Sequence, residues 1–119
     1  MKIANLASIA SVARRHGLIT IVDNTFMTPY WQRPLALGID LVVHSGTKYL
    51  GGHNDLLSGI VVTKTPELSE RMALIQKATG AVLSPSDSWL MLRSIKTLGL
   101  RLRQQEQNAL KIAGWLQEH

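Results

Sequence analysis

The side chains best equipped for chemistry in this 119-residue chain follow two apolar runs: Asp23, Asn24 and Thr25 after the first, and His44, Ser45, Gly46, Thr47 and Lys48 after the second. A lysine amine can condense with a carbonyl, a carboxylate can hold a cation, and paired hydroxyls can hold a phosphate. Open α/β sheets bind ligands beyond the carboxyl ends of their strands, which is where these residues fall. In an extended segment side chains alternate, so Ser45 and Thr47 should face one way and Lys48 the other. One face could then hold a phosphate while the lysine reaches an aldehyde. Taken singly, each residue has a plainer reading: a lone Asp at a strand end is usually a turn or cap residue, and Ser-x-Thr-Lys alone is unremarkable. Gly46-Thr47-Lys48 is not a P-loop, because in that motif the Ser or Thr follows the Lys. His44, His53 and Asp55 match no familiar ligand spacing, so no metal is expected.

The elements that must position these residues read as α/β. Leu6, Ile9, Ala10, Val12 and Ala13 recur at three- and four-residue intervals, predicting a helix that Arg14, Arg15, His16 and Gly17 bring to an end. No capping residue is evident at its start, which suggests that something upstream is missing. Leu18-Ile19-Thr20-Ile21-Val22 is apolar on both faces and reads as a buried strand of a parallel sheet. Leu41-Val42-Val43 predicts a second strand and Ile60-Val61-Val62 a third. Thr65 should cap a helix with Pro66 at its first position, running to about Thr79 and closed by Gly80. Ser86 or Asp87 should open one last helix through Leu116, roughly 45 Å long at ~1.5 Å per residue and bent near Gly99. Such a helix cannot bury its apolar face on three short strands and is expected to pack on something outside the chain.

Composition narrows the class without naming a function. Hydrophobic residues make up 45% and charged residues 18%, as in a water-soluble globular domain, and no apolar run approaches the ~20 residues of a membrane span. With no export signal and no cysteine, the chain is expected to be cytoplasmic. Thirteen basic against eight acidic residues give a net charge of +5. Arg93, Lys96, Arg101, Arg103 and Lys111 lie in the C-terminal helical stretch, interrupted by Glu106 and Glu118. That pattern reads as a solvated helix face, so neither a nucleic-acid nor a membrane partner is expected.

Longer motifs carry more. Val22-Asp23-Asn24-Thr25-Phe26-x-Thr28-Pro29, Pro34-Leu35-x-x-Gly38-x-Asp40, and Val43-His44-Ser45-x-Thr47-Lys48-Tyr49-x-Gly51-Gly52-His53-x-Asp55 together resemble the signature of the Cys/Met-metabolism pyridoxal-phosphate (PLP) enzymes. Gly80-Ala81-Val82-Leu83-Ser84-Pro85, Trp89, Arg93 and Lys96-Thr97-Leu98 extend the likeness over essentially the whole chain. The resemblance implies a PLP-dependent transferase fold of type I, like that of aspartate aminotransferase. Residues 1–119 would form the second half of its large, PLP-binding domain, without the N-terminal half or the C-terminal small domain. It implies that Lys48 carries the cofactor covalently and moves protons, that Asp23 pairs with the pyridine nitrogen, that Ser45 and Thr47 bind the phosphate, and that Thr25 lies near the ring.

The implied activity is C–S bond cleavage in sulfur amino-acid metabolism, of the cystathionine beta- or gamma-lyase type. Cystathionine gamma-synthase or O-acetylhomoserine sulfhydrylase is the alternative, with cystathionine or an activated homoserine as substrate and a parent that is homo-oligomeric, a tetramer built of dimers. The glycine loop, the ring-stacking tyrosine and the substrate-binding arginine of such a site are not in the sequence, so the 119-residue chain is expected to be weakly active or inactive. A non-enzymatic alternative is a fragment that serves only as an interaction module.

Overall fold

A computed structural model describes residues 2–119 as a flat body of 51 × 41 × 19 Å. Helix α1 spans Leu6–Arg15 and is followed by strand β1, Ile21–Asp23. A short helix α2, Thr28–Trp31, and a 3₁₀ helix, Pro34–Leu37, lead into β2, Leu41–Ser45, and β3, Gly59–Thr63. Helices α3, Pro66–Thr79, α4, Pro85–Ile95, and α5, Leu98–Gln117, complete the chain. No helix among the described residues is long and apolar enough to cross a membrane.

The sheet is three-stranded in the order β1-β2-β3. β1 runs parallel to β2 with Asp23 opposite Val43, and β3 runs antiparallel with Ser45 opposite Gly59. The sheet is therefore mixed, and β1, whose apolar run predicted a strand of a parallel sheet, does pair parallel with β2. β1 is an edge strand in this sheet, and Ile21 is 63% exposed. Its expected burial on both faces fails because, among the described residues, β2 is its only strand neighbour and α1 covers one side alone.

On that covered side Ala10 of α1 packs with Ile39 and Val42, joined by Leu6, Val22 and Leu35. A second core gathers Leu50, Leu56, Met91, Leu98 and Leu102, with Tyr49, Ile60 and Leu90 against it. It fastens the segment after β2 to α4 and α5. Each fully buried aliphatic side chain contributes about 1.5–3 kcal/mol relative to exposure, so these two clusters hold the sheet to its helices. A polar latch joins the strand entrances. Thr20 donates to Asp40 Oδ2 through its amide at 2.9 Å and its hydroxyl at 2.8 Å, and the Asp40 amide returns a bond to Thr20 Oγ1 at 3.0 Å. These bonds hold the Asp40 carboxyl below its ordinary pKa.

Several helix boundaries differ from expectation. α1 does have a cap: Asn5 accepts a hydrogen bond from the Ser8 amide at 3.0 Å. The single long C-terminal helix is two helices that meet at Lys96–Thr97, not a bend at Gly99, and the cap of the first is Ser84, which accepts from the Asp87 amide. α5 remains a long helix of 20 residues, of which only Leu98 and Leu102 are buried. α3 follows expectation, from the Thr65 cap to a left-handed Gly80.

Candidate active site

β1 and β2 end side by side, and a single hydroxyl joins their ends. Thr25 Oγ1 donates to Asp23 Oδ1 at 2.5 Å and accepts the Ser45 amide at 2.7 Å, while the Thr25 amide donates to the same Oδ1 at 2.9 Å. Asp23 is thereby oriented with Oδ2 left for another donor. The Thr25 hydroxyl, then the Thr25 amide, hold the carboxyl below its ordinary pKa, with a smaller contribution from His44. The in-register partners Asp23 and Val43, and Ser45 two residues on, share one face of the sheet. Thr25, expected to lie near a ring, spans the two strand ends.

Behind this pair the chain is fixed by Asn24, which is almost fully buried. Its amide group donates to the carbonyls of Thr28 at 3.1 Å and Gln32 at 3.0 Å, and its side-chain oxygen accepts from Gln32 Nε2 at 2.8 Å. Thr28 sits at φ 58°, a left-handed conformation costly for a β-branched residue, and Asn24 braces it. Neither Gln32 nor this network was evident from sequence. An Asn inside a strand-end motif, eight residues before a Gln, is too common a pattern to signal it.

The lysine side is built differently. β2 stops at Ser45, and residues 46–51 form a turn, so the alternation expected for Ser45, Thr47 and Lys48 does not apply. Thr47 Oγ1 accepts from the Ser58 amide at 3.0 Å and donates to the Ser58 carbonyl at 3.4 Å, tying the turn to the entrance of β3. Gly46 is buried there; a Cβ would come within 2.6 Å of Met91 Cε and overlap Ser58 Oγ. The Gly52 amide donates to the Lys48 carbonyl at 2.6 Å and the Gly51 amide to the Gly46 carbonyl at 2.8 Å. Lys48 itself is exposed and lines a shallow recess of ≈ 330 Å³ with Phe26, Thr47, Tyr49, Gly52, Asn54 and Gln105. Phe26 meets Tyr49 edge-on at 6.4 Å. Asp23 and Ser45 stand outside that recess, so the five expected residues form two groups on adjoining segments.

His44 is buried on the opposite face from Ser45, with Nδ1 lacking a partner among the described residues. Burial pushes its pKa down, partly offset by Asp23 and by the Asn24 backbone. His53 Nδ1 pairs with the Gly51 carbonyl at 2.8 Å. No group of three or more His, Cys, Asp or Glu residues able to hold a metal occurs among the described residues.

Every residue of the chain, 1–119, matches the family model for the Cys/Met metabolism PLP-dependent enzymes. The chain belongs to that family. It is 55% identical over 119 residues to a cystathionine gamma-lyase of Bacillus subtilis, covering 100% of the chain and 31% of that relative. To a cystathionine gamma-synthase/O-acetylhomoserine (thiol)-lyase of the same species it is 57% identical over 118 residues, 99% of the chain and 32% of the relative. The structure of cystathionine gamma-lyase from Lactobacillus plantarum complexed with L-serine superposes with a TM-score of 0.97 at 49% identity, covering 99% of the chain and 31% of that protein. The chain thus spans about a third of the length of these relatives, and its fold is the expected α/β fold of a PLP-dependent transferase of type I, with a long C-terminal helix.

The donor set suits the family's cofactor. Asp23 is held anionic with one oxygen open to a pyridinium N–H, as a cationic ring nitrogen requires. The Ser45 and Lys48 side chains make no hydrogen bond among the described residues, and the Thr47 hydroxyl gives its proton only to a long 3.4 Å bond. A phosphate and an aldehyde are the groups such free donors and a free amine would take. Asp23 and Lys48 are both solvent-exposed in this chain, so the dry surroundings that would strengthen their interactions are not supplied by the described residues.

Proposed function

We propose that the chain is the lysine-bearing part of the PLP-binding large domain of a C–S lyase of sulfur amino-acid metabolism, of the cystathionine beta- or gamma-lyase kind. The observation that carries this reading is the Asp23–Thr25–Ser45 bridge across two neighbouring strand ends, with Lys48 on the turn that follows. In it, Lys48 Nζ holds the cofactor covalently, Asp23 Oδ2 accepts from the ring nitrogen, and the hydroxyls of Ser45 and Thr47 donate to the phosphate. Thr25 acts by fixing Asp23. PLP, when bound, supplies an electron sink next to the substrate α-carbon. Once the substrate's amine had replaced it on the cofactor, the freed Lys48 Nζ would take the proton from that carbon and deliver one to the departing sulfur, acting as base and acid in turn.

The substrate in this reading is cystathionine, and the parent protein is a homo-oligomer. The exposure of Asp23 and Lys48 supports weak or absent turnover by the 119-residue chain, because charge interactions of ~4 kcal/mol at an effective dielectric of 20 fall to ~1 kcal/mol in bulk water. Incubation with PLP, borohydride reduction and peptide mapping test the assignment. One reduced label on Lys48 is expected; labels distributed equally over Lys64, Lys77, Lys96 and Lys111 would overturn it.

A transferase reading, cystathionine gamma-synthase or O-acetylhomoserine sulfhydrylase, has support from the 57% identity to a relative of that kind. Product analysis of the parent protein separates them. A lyase releases pyruvate or 2-oxobutyrate from cystathionine, according to which C–S bond breaks, whereas a transferase consumes an activated homoserine and joins a thiol to it.

A further inference from the structure

We infer that Arg101 is a positioning residue for Lys48, holding from α5 the turn on which the lysine stands. The inference rests on the role proposed above for Lys48. It begins with two carbonyls. In the turn of residues 46–51 the carbonyls of Gly46 and Lys48 accept from the amides of Gly51 and Gly52, leaving those of Tyr49 and Leu50 without a backbone donor among the described residues. They are in the position of the last carbonyls of a helix, which need a partner from elsewhere.

Arg101, 52 residues further along the chain than Tyr49, supplies that partner. Nη1 donates to the Tyr49 carbonyl at 2.8 Å and Nη2 to the Leu50 carbonyl at 3.4 Å. Nη2 also donates to the Ser94 carbonyl at 3.1 Å and Nε to Thr97 Oγ1 at 3.1 Å. One planar guanidinium therefore binds the turn and the α4–α5 junction at once, a geometry that the fork of an arginine allows and a lysine ammonium does not. None of these acceptors is a carboxylate, so the cation is spent on neutral oxygens, and its partial burial lowers its pKa. Gly52 marks the same contact independently. It lies at φ 74°, and a Cβ there would overlap Arg101 Nη1. With Thr47 bound to Ser58 on one side and Tyr49 to Arg101 on the other, the Lys48 backbone is held at both flanks while its side chain stays free.

The test uses the full chain with Arg101→Ala and Arg101→Lys. Two readouts are taken: the rate at which PLP plus borohydride labels Lys48, and hydrogen exchange at the Gly51 and Gly52 amides, with α1 amides as a control for global opening. Arg101→Ala should slow labelling about tenfold, as expected for losing a charge-assisted hydrogen bond. It should also release Gly51 and Gly52 with α1 still protected. Free guanidinium at millimolar concentration should restore part of the labelling, which a merely unfolded chain would not permit. If α1 protection also collapses in the Ala variant, Arg101→Lys carries the test and should show slowed labelling in a folded chain. A folded variant that labels at the wild-type rate, or keeps Gly51 and Gly52 protected, overturns the inference. Failure of the wild-type chain to label Lys48 would instead overturn the proposed function, and the exchange pattern would still decide the role of Arg101.

Discussion

The carboxylate side and the lysine side of the site are held in opposite ways. Asp23 is fixed by Thr25 two residues away, and the same hydroxyl reaches the next strand end at Ser45, so that side is built almost entirely from β1, β2 and the residues between them. Lys48 stands on a turn whose free carbonyls are claimed from α5, 51 and 52 residues away. The contrast teaches that a segment of continuous sequence need not be a continuous structural unit. The carboxylate is held within the sheet, whereas the turn that bears the lysine is held by a contact from the C-terminal helices.

The sharpest test of the contrast removes the lysine itself. Lys48→Ala should abolish PLP capture in the borohydride assay, yet leave the denaturation midpoint within about 0.5 kcal/mol of wild type, because the side chain is exposed and unbonded. On the other side, Thr25→Val should cost about 1–3 kcal/mol of stability, since it strands the Ser45 amide and removes one of the two donors to Asp23 Oδ1. An NMR titration should find the Asp23 carboxyl moving back up toward 3.8 in that variant, with Thr25→Ser close to wild type. Gly52→Ala forces a side chain into left-handed backbone and against Arg101, and should cost about 1–2 kcal/mol while slowing Lys48 labelling. An equal effect on the Asp23 titration would break the separation between the two sides.

The smallest effect concerns His44. Its folded pKa lies below the ordinary 6.5, so the unfolded chain binds the proton first. Stability should be full above pH ~6.5 and decline as pH falls below it, by at most about 1.4 kcal/mol per pH unit for one proton. His44→Asn should flatten that limb in denaturant titrations across the same range. Asp23 acts at lower pH: its contribution is present above 3.8 and is lost as pH falls through its lowered folded value.

What the sequence makes legible follows the same division. The Thr65-Pro66-Glu67 cap and the cores of β2 and β3 are local signals, and the structure forms those elements where they were expected. The Asn5 cap escaped the sequence reading although an Asn directly precedes the first apolar repeat. The break between α4 and α5 was not legible, because neither Gly nor Pro occupies Lys96–Thr97; Gly99, the obvious breaker, lies inside α5. Thr25 as a bridge, the Asn24–Gln32 pair and Arg101 depend on register and helix docking, which periodicity does not encode. The alternation argument for Ser45, Thr47 and Lys48 failed for a local reason, the end of β2 at Ser45.

The strand beside Asp23 has a practical consequence. β1 presents one row of unpaired main-chain groups to solvent, and Leu18, Ile19 and Ile21 around it are 62%, 54% and 63% exposed. Such an uncovered ribbon is a template on which a second molecule can lay its own strand. Colloidal behaviour of the purified chain should therefore be governed by concentration, and dilute handling will decide how long it stays dispersed.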